Sequence, residues 1–437
     1  ISSALPGNDP LLWNAALAEV RQVGGNAVTK ACTDILVQVP REVLTGLIGA
    51  LAQRGDKSAG PGLVALVEDA DPIVSLAAIK ALVFLGEGSS VPVLVKVAAH
   101  GDDTPREAAL QALLQLSSDD TSAALLARIE GADAAETTVL AKVMGQRRDE
   151  SVVPALRKLA ESPDAMVCAA AVQALAEVGG PSDAELLCKV LERTDGDKPK
   201  SAAKRALATL GERLGSPDEF VNAILAAFDK GNVDVRCALL TVCGKLRNGQ
   251  LLQALDKATA DGTPEVKDAA IRALAESENP DALPLLLALL DRTSELTQRV
   301  LVFRGIARLA SDETGVEEKV REDALTRGLA AAERPEEKKL FLGALGSCHT
   351  LDALKTVAGY LPSNDVVAEA VMAWGSIAKA ILASNPEEVR NAAPGVLARA
   401  QEAGIAKESM HSLMDVKRAL AATAVPGEQV RFEHVVI

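Results

Sequence analysis

Apolar residues recur at three- and four-residue intervals along nearly the whole chain, and Gly, Pro, Asp or Ser interrupts them every 12 to 20 residues. That spacing predicts a succession of short amphipathic helices rather than strands. A longer period lies over it. An apolar anchor falls at Leu51, Leu82, Leu113, Met144, Leu175, Leu207, Cys243, Leu274, Ile306 and Leu342, mostly in steps of 31 or 32 residues, with steps of 36 into Cys243 and Leu342. A linker between Gly196 and Phe220 and the charged segment Ser311 to Arg321 are the expected sources of the two longer steps.

A second signal is independent of the first. Twelve residues after eight of these ten anchors stands a leucine: Leu63, Leu94, Leu125, Leu156, Leu187, Leu255, Leu286 and Leu354. Two residues before four of them comes a proline, Pro61, Pro92, Pro154 and Pro284. A helix tolerates proline in its first turn, where the missing N–H has no intrahelical partner. Each repeat therefore reads as helix, short turn, helix. Positions one, three and four before the anchor are apolar or small almost every time, as in Ala78-Ile79-Lys80-Ala81-Leu82 and Ala270-Ile271-Arg272-Ala273-Leu274. This alanine-rich stripe lets neighbouring helices approach closely, and a repeat with so little core must bury it by stacking. The predicted fold class is all-α, an α-α superhelical solenoid of about 11–12 helical-hairpin repeats.

Three regions follow: a lead-in and capping helix around Trp13 over residues 1–34, the repeats over 35–423, and an extended tail over 424–437. Val425-Pro426-Gly427 breaks the last helix, and the tail is expected to link to a further domain. Composition sharpens this picture. A 437-residue chain exceeds what a single core supports, and its 48% hydrophobic content includes only 2% aromatics, so Ala, Leu and Val must fill the interior. A net charge of −14, with 60 acids against 46 bases, repels a phosphate backbone, so no nucleic-acid partner is expected. The longest obvious apolar run, Leu283 to Leu290, is too short to insert into a membrane. The chain starts at Ile1 with no basic and apolar leader, so a targeting segment is expected to have been removed or never present.

Asp71-Pro72-Ile73-Val74, then Ala77-Ala78, Ala81-Leu82, Leu85-Gly86 and Val91-Pro92-Val93-Leu94 resemble a HEAT-like repeat of the phycobilisome-lyase type. Asp164 to Leu187 and Thr263 to Leu286 are similar, and weaker copies extend the resemblance over roughly residues 35 to 420. The resemblance implies an armadillo-like superhelix whose second helices line the concave side and which binds protein partners. Where that family favours Arg after Val, Ser75 and Cys168 stand instead, while Arg236 and Lys267 keep a base. An interrupted ladder of Asp–Arg contacts is therefore expected. The Arg299-Val300-Leu301 to Arg304-Gly305 and Glu333 to Lys338 segments resemble arrays in large secreted bacterial proteins that also carry sugar-processing β-domains. On that likeness a periplasmic or secreted setting is favoured over the cytoplasm.

Candidate chemistry is sparse. Gly60-Pro61-Gly62 follows no strand and lacks the spacing of a phosphate-binding loop, and neither HExxH, an EF-hand loop nor GxSxG occurs. The histidines His100, His349, His411 and His434 are scattered, and none is followed by Glu, which sets the chain apart from HEAT-fold iron hydroxylases. Cys32, Cys168, Cys188, Cys237, Cys243 and Cys348 form no CxxC pair and read as buried thiols. Neither a cofactor nor a metal is expected. Trp374 and Tyr360 read as core residues rather than the aromatic face of a base-flipping enzyme.

One column stands out. Two residues before successive anchors stand Lys80, Gln111, Lys142, Gln173, Arg205, Thr241, Arg272 and Arg304, with no acid among them. In stacked second helices these would run down the concave surface. They form either a track for a protein or acidic partner, with charge-assisted bonds from Arg and Lys and backbone reading by Gln, or a solvated helix face. The leading expectation is a non-enzymatic binding scaffold. A rigid spacer in a larger secreted protein and a lyase-type accessory enzyme are the alternatives.

Overall fold

The structure, a computed structural model, describes residues 3–7, 9–193, 196–311, 315–406 and 410–422. The predicted tail 424–437 lies outside them. The chain divides into two compact units, Ile1–Val235 and Arg236–Ile437. In the first, the helices are α1 (Pro10–Gln22), α2 (Asn26–Asp34), α3 (Arg41–Arg54), α4 (Gly60–Val64), α5 (Pro72–Leu85), α6 (Val91–His100), α7 (Asp103–Gln115), α8 (Thr121–Ile129), α9 (Ala134–Arg147), α10 (Val153–Ala160), α11 (Ala165–Val178), α12 (Asp183–Arg193), α13 (Asp197–Leu214) and α14 (Asp218–Lys230). After α15 (Val233–Lys245), which holds the boundary residue, come α16 (Gly249–Ala258), α17 (Pro264–Glu276), α18 (Ala282–Arg292), α19 (Leu296–Ser311), α20 (Glu318–Ala331), α21 (Pro335–Leu345), α22 (Leu351–Ala358), α23 (Val367–Ile381), α24 (Pro386–Glu402) and α25 (His411–Ala422). Among the described residues there is no strand, and consecutive helices pack as hairpins, such as α6–α7, α10–α11 and α12–α13 in the first unit and α18–α19, α20–α21 and α22–α23 in the second. The fold is an all-α solenoid.

Every anchor lies on an odd-numbered helix and is buried, as is every leucine twelve residues later on the following even-numbered helix. The register runs further than the leucine signal shows. Val20 with Cys32 in α1 and α2, and Trp374 in α23, occupy the same positions and are fully buried. Helix starts are set locally: Asp9, Asp71, Asp133 and Asp164 accept hydrogen bonds from first-turn amides, satisfying donors that have no intrahelical partner.

Small residues on either side of the anchor bring the odd helices together. A Cβ on Gly145 would lie 2.6 Å from Ala174 Cα, and one on Gly244 2.6 Å from the Ala273 carbonyl oxygen. Both glycines directly follow an anchor, and both alanines directly precede one. Within the first unit α9, α11 and α13 pack side by side, more extensively than α10 and α12 pack against each other.

Arginines tie successive repeats together in a way the spacing does not predict. Arg54 of α3 donates to the Val20, Val23 and Gly25 carbonyls at the C-terminus of α1. Arg147 of α9 donates to Leu113, Leu114 and Leu116 at 2.8–3.2 Å, closing α7. Arg213 does the same for α11 and Arg308 for α17. A guanidinium fork satisfies several orphan carbonyls at once and meets the negative end of the helix dipole.

The Asp–Arg ladder is interrupted where expected. Arg236 pairs with Asp261 at 2.5 Å, whereas the Ser75 hydroxyl donates to the Val67 carbonyl at 2.6 Å and the Cys168 thiol to Ala160 at 3.1 Å. The expected linker after Gly196 is a correction: Asp197–Leu214 is an 18-residue helix. Its alanines and leucines keep one buried face throughout, and the break falls later, at Gly215 and Ser216, both with positive φ.

Candidate partner-binding face

The eight column residues divide between the two units. Lys80, Gln111, Lys142, Gln173 and Arg205 lie on α5, α7, α9, α11 and α13, and all are exposed. Thr241, Arg272 and Arg304 lie on α15, α17 and α19. Thr241 differs from the rest: it is half-buried, and its hydroxyl donates to the Cys237 carbonyl of its own helix at 3.1 Å. Among the described residues, none of the other seven makes a side-chain hydrogen bond or an ion pair. Elsewhere many cations are paired, as in Lys96–Glu68 at 2.6 Å, Arg157–Asp183 at 2.6 Å and Lys189–Glu185 at 2.7 Å, all from even-numbered helices.

Three of the five first-unit column residues share a groove. Lys142, Gln173 and Arg205 line a depression of about 480 Å³ over α9, α11 and α13; Lys80 and Gln111 lie outside it. Its floor is made of Gly145, Ala169, Ala170, Ala174 and Ala206, and the same short side chains that let the helices approach also leave this surface low. Long side chains rise around it: Lys142, Gln146, Gln173, Lys198 and Arg205. The one acid in the lining, Glu177, pairs with Arg148 at 3.2 Å, while Lys142, Lys198 and Arg205 have no acidic partner among the described residues.

Lys198 is the residue the sequence reading missed. It stands seven positions, two helical turns, before Arg205 and so on the same face of α13, but that stretch reads as a linker from sequence. The helix itself was the missing signal.

The face also carries apolar positions. On α5, Ile73 and Phe84 are 70% and 68% exposed and flank Lys80 at seven residues before and four after. In the second unit Leu340 and Met372, two residues before Leu342 and Trp374, are partly exposed in the column register. There the polar column gives way to apolar side chains.

Other candidate chemistry is inert or dispersed. Burial pushes the Cys188 thiol up to about 12 and the Cys348 thiol up to about 11, and raises Cys32 and Cys168 as well, so these sulfurs are not thiolates at neutral pH. Trp374 is fully buried and Tyr360 half-buried. Among the described residues no group of three or more His, Cys, Asp or Glu is placed to hold a metal ion. None of their helices is long and apolar enough to cross a membrane.

These features define a class, an α-solenoid of paired helices. A family model for HEAT repeats matches residues 30–114, 122–208 and 221–302, more than half of the chain, and the chain belongs to that family. Among solved structures it is similar to Kap121p bound to Ste12p, with TM-score 0.52 and 11% identity over 96% of this chain and 53% of that one. The karyopherin Kap121p bound to the extreme C-terminus of the protein phosphatase Cdc14p gives TM-score 0.52 and 12% identity over 96% and 53%. Kap121p bound to Nup53p gives TM-score 0.52 and 12% identity over 96% and 54%. This chain thus spans about half the length of those proteins, and at such identities the likeness is one of fold. No curated protein matches the sequence.

Proposed function

We propose that this HEAT-repeat chain is a non-enzymatic scaffold that engages a protein or acidic partner on the face formed by its odd-numbered helices. The observation that carries the reading is the groove over α9, α11 and α13, rimmed by Lys142, Lys198 and Arg205 without acidic partners, in a chain of net charge −14. Cations elsewhere in this acidic protein are often paired, as Lys96, Arg157 and Lys189 are, whereas cations left without an acidic partner attract negative charge and steer its approach. The small residues around each anchor bring the odd helices closer together than their partners, which supports placing this row on the inner side of each unit. The solved structures of similar fold include Kap121p bound to other proteins, and partner binding on a HEAT array agrees with this reading.

The test is capture from native extract by the wild-type chain and by one carrying Lys142→Glu, Arg205→Glu and Arg272→Glu, with bound proteins identified by mass spectrometry. The expected result is a partner retained by the wild type and lost by the variant. A partner held equally by both moves the interaction off this face and favours the rigid-spacer alternative, which makes no use of the groove.

A further inference from the structure

The first unit presents apolar, amide and cationic side chains along its odd-numbered helices. On α5, Lys80 is the only charged residue, and the exposed side is otherwise apolar, with Ile73 and Phe84 standing 70% and 68% free of neighbours. Phe84 is the only exposed phenylalanine among the described residues; Phe220, Phe303 and Phe341 are buried and Phe228 is half-buried. Amides follow, Gln111 and Gln115 on α7 and then Gln146 on α9 and Gln173 on α11, all exposed and with no hydrogen-bond partner among the described residues. The last two line the groove together with the cations Lys142, Lys198 and Arg205. Glu107, a turn before Gln111, is exposed on α7, and Glu177 in the groove is occupied by Arg148.

Resting on the scaffold reading above, we infer that this face binds an extended peptide segment with an apolar or aromatic residue at one end and an acidic cluster at the other. Each surface matches one part of such a ligand. Phe84 and Ile73 offer apolar area to an apolar side chain. A glutamine amide carries both donor and acceptor and so can satisfy the N–H and C=O of an extended backbone, whereas a phosphodiester backbone supplies acceptors alone. The three cations meet carboxylates with charge-assisted hydrogen bonds. Packed helices lie about 8–10 Å apart, so Lys142 on α9 is two steps, about 16–20 Å, from α5, and Lys198 and Arg205 on α13 are four steps, about 32–40 Å, from it. An extended chain rises about 3.3 Å per residue, which centres the acidic cluster about eight positions from the apolar residue, within a range of about five to twelve.

The experiment is fluorescence anisotropy on the full chain with synthetic peptides. The parent carries a Phe, a polar spacer giving that separation, and an Asp/Glu cluster; three relatives replace the Phe by Ser, replace the acids by Asn and Gln, or cut the spacer to about two residues. The expected result is tightest binding by the parent and a loss of about tenfold for each relative. Phe84→Ser should abolish the difference between the Phe and Ser peptides, and combined Lys142→Gln, Lys198→Gln and Arg205→Gln the difference between acidic and amide peptides. All the substituted side chains are exposed, and an unchanged thermal midpoint checks that the variants fold.

Equal binding of the Phe and Ser peptides, unaffected by Phe84→Ser, overturns the inference and leaves a plain anion groove. Equal or tighter binding of a single-stranded oligonucleotide overturns the peptide assignment. Absence of peptide binding, with a captured protein still lost on charge reversal at Lys142 and Arg205, overturns this inference while the scaffold reading stands. A captured protein indifferent to those residues removes both.

Discussion

At the residue scale, two glycines of the odd-numbered helices separate close packing from open surface. A Cβ on Gly145 would meet Ala174 Cα at 2.6 Å, backbone that cannot swing aside, whereas one on Gly49 would meet nothing within 4 Å. Gly145→Val should destabilise by about 2–3 kcal/mol through overpacking. Gly49→Ala should stabilise by about 0.5–1 kcal/mol, because alanine forfeits less backbone entropy in a helix and gains no clash. Thermal midpoints measured side by side should move in opposite directions; equal shifts would contradict the close approach of α9 and α11. The anchors and their flanking alanines were legible in the sequence because burial on a helix follows local spacing. The groove was not, since its depth comes from where Ala169, Ala170 and Ala174 lie relative to two other helices.

At the scale of the element, helix ends in this chain are closed by the following repeat. Arg147 is the clearest case, with three carbonyls of α7 around one nitrogen at 2.8–3.2 Å. Removing a charged donor from such a cluster costs about 1.5–3 kcal/mol, so Arg147→Ala should lower the thermal midpoint, and Arg147→Lys, which keeps a charged donor, should recover part of the loss. No such loss would mean that water closes the end of α7 equally well. Nothing in the sequence announces these caps, because an arginine three residues after an anchor looks like any surface base and its partners lie 31–34 residues away.

The turns behave similarly. Hydrogen bonds from Thr29 to Asp56, from Arg41 to Asp69 and from Ser122 to Asp149 hold these carboxyls below the usual carboxylate range. A lowered folded pKa gives stability that is full above the unfolded value of about 3.9 and is lost as pH falls through the folded values. The thermal midpoint should therefore stay level on acidification to about pH 5 and fall below about pH 4; a fall beginning near pH 6 would implicate histidine instead.

At the scale of the whole molecule, the period of 31–32 residues was enough to read an array, and its extension to Val20 and Trp374 was hidden by side-chain identity. Cys32 stands where leucine marks other repeats, and Pro386 falls twelve residues after Trp374, at the start of α24. Lys198 was hidden by the opposite error, a charged and proline-bearing stretch that nonetheless keeps a helical buried face. The proposed function rests on a local feature of an acidic molecule: a groove over α9, α11 and α13 whose cations Lys142, Lys198 and Arg205 have no acidic partner among the described residues. The most direct measurement is site-specific photocrosslinking in native extract, with the photoreactive side chain introduced at Gln173 in the groove or at the exposed Asn222 on α14. The account predicts a discrete crosslinked partner from Gln173, diminished when Lys142 and Arg205 are reversed to Glu, and none from Asn222; a partner crosslinked from Asn222 and not from Gln173 would contradict it.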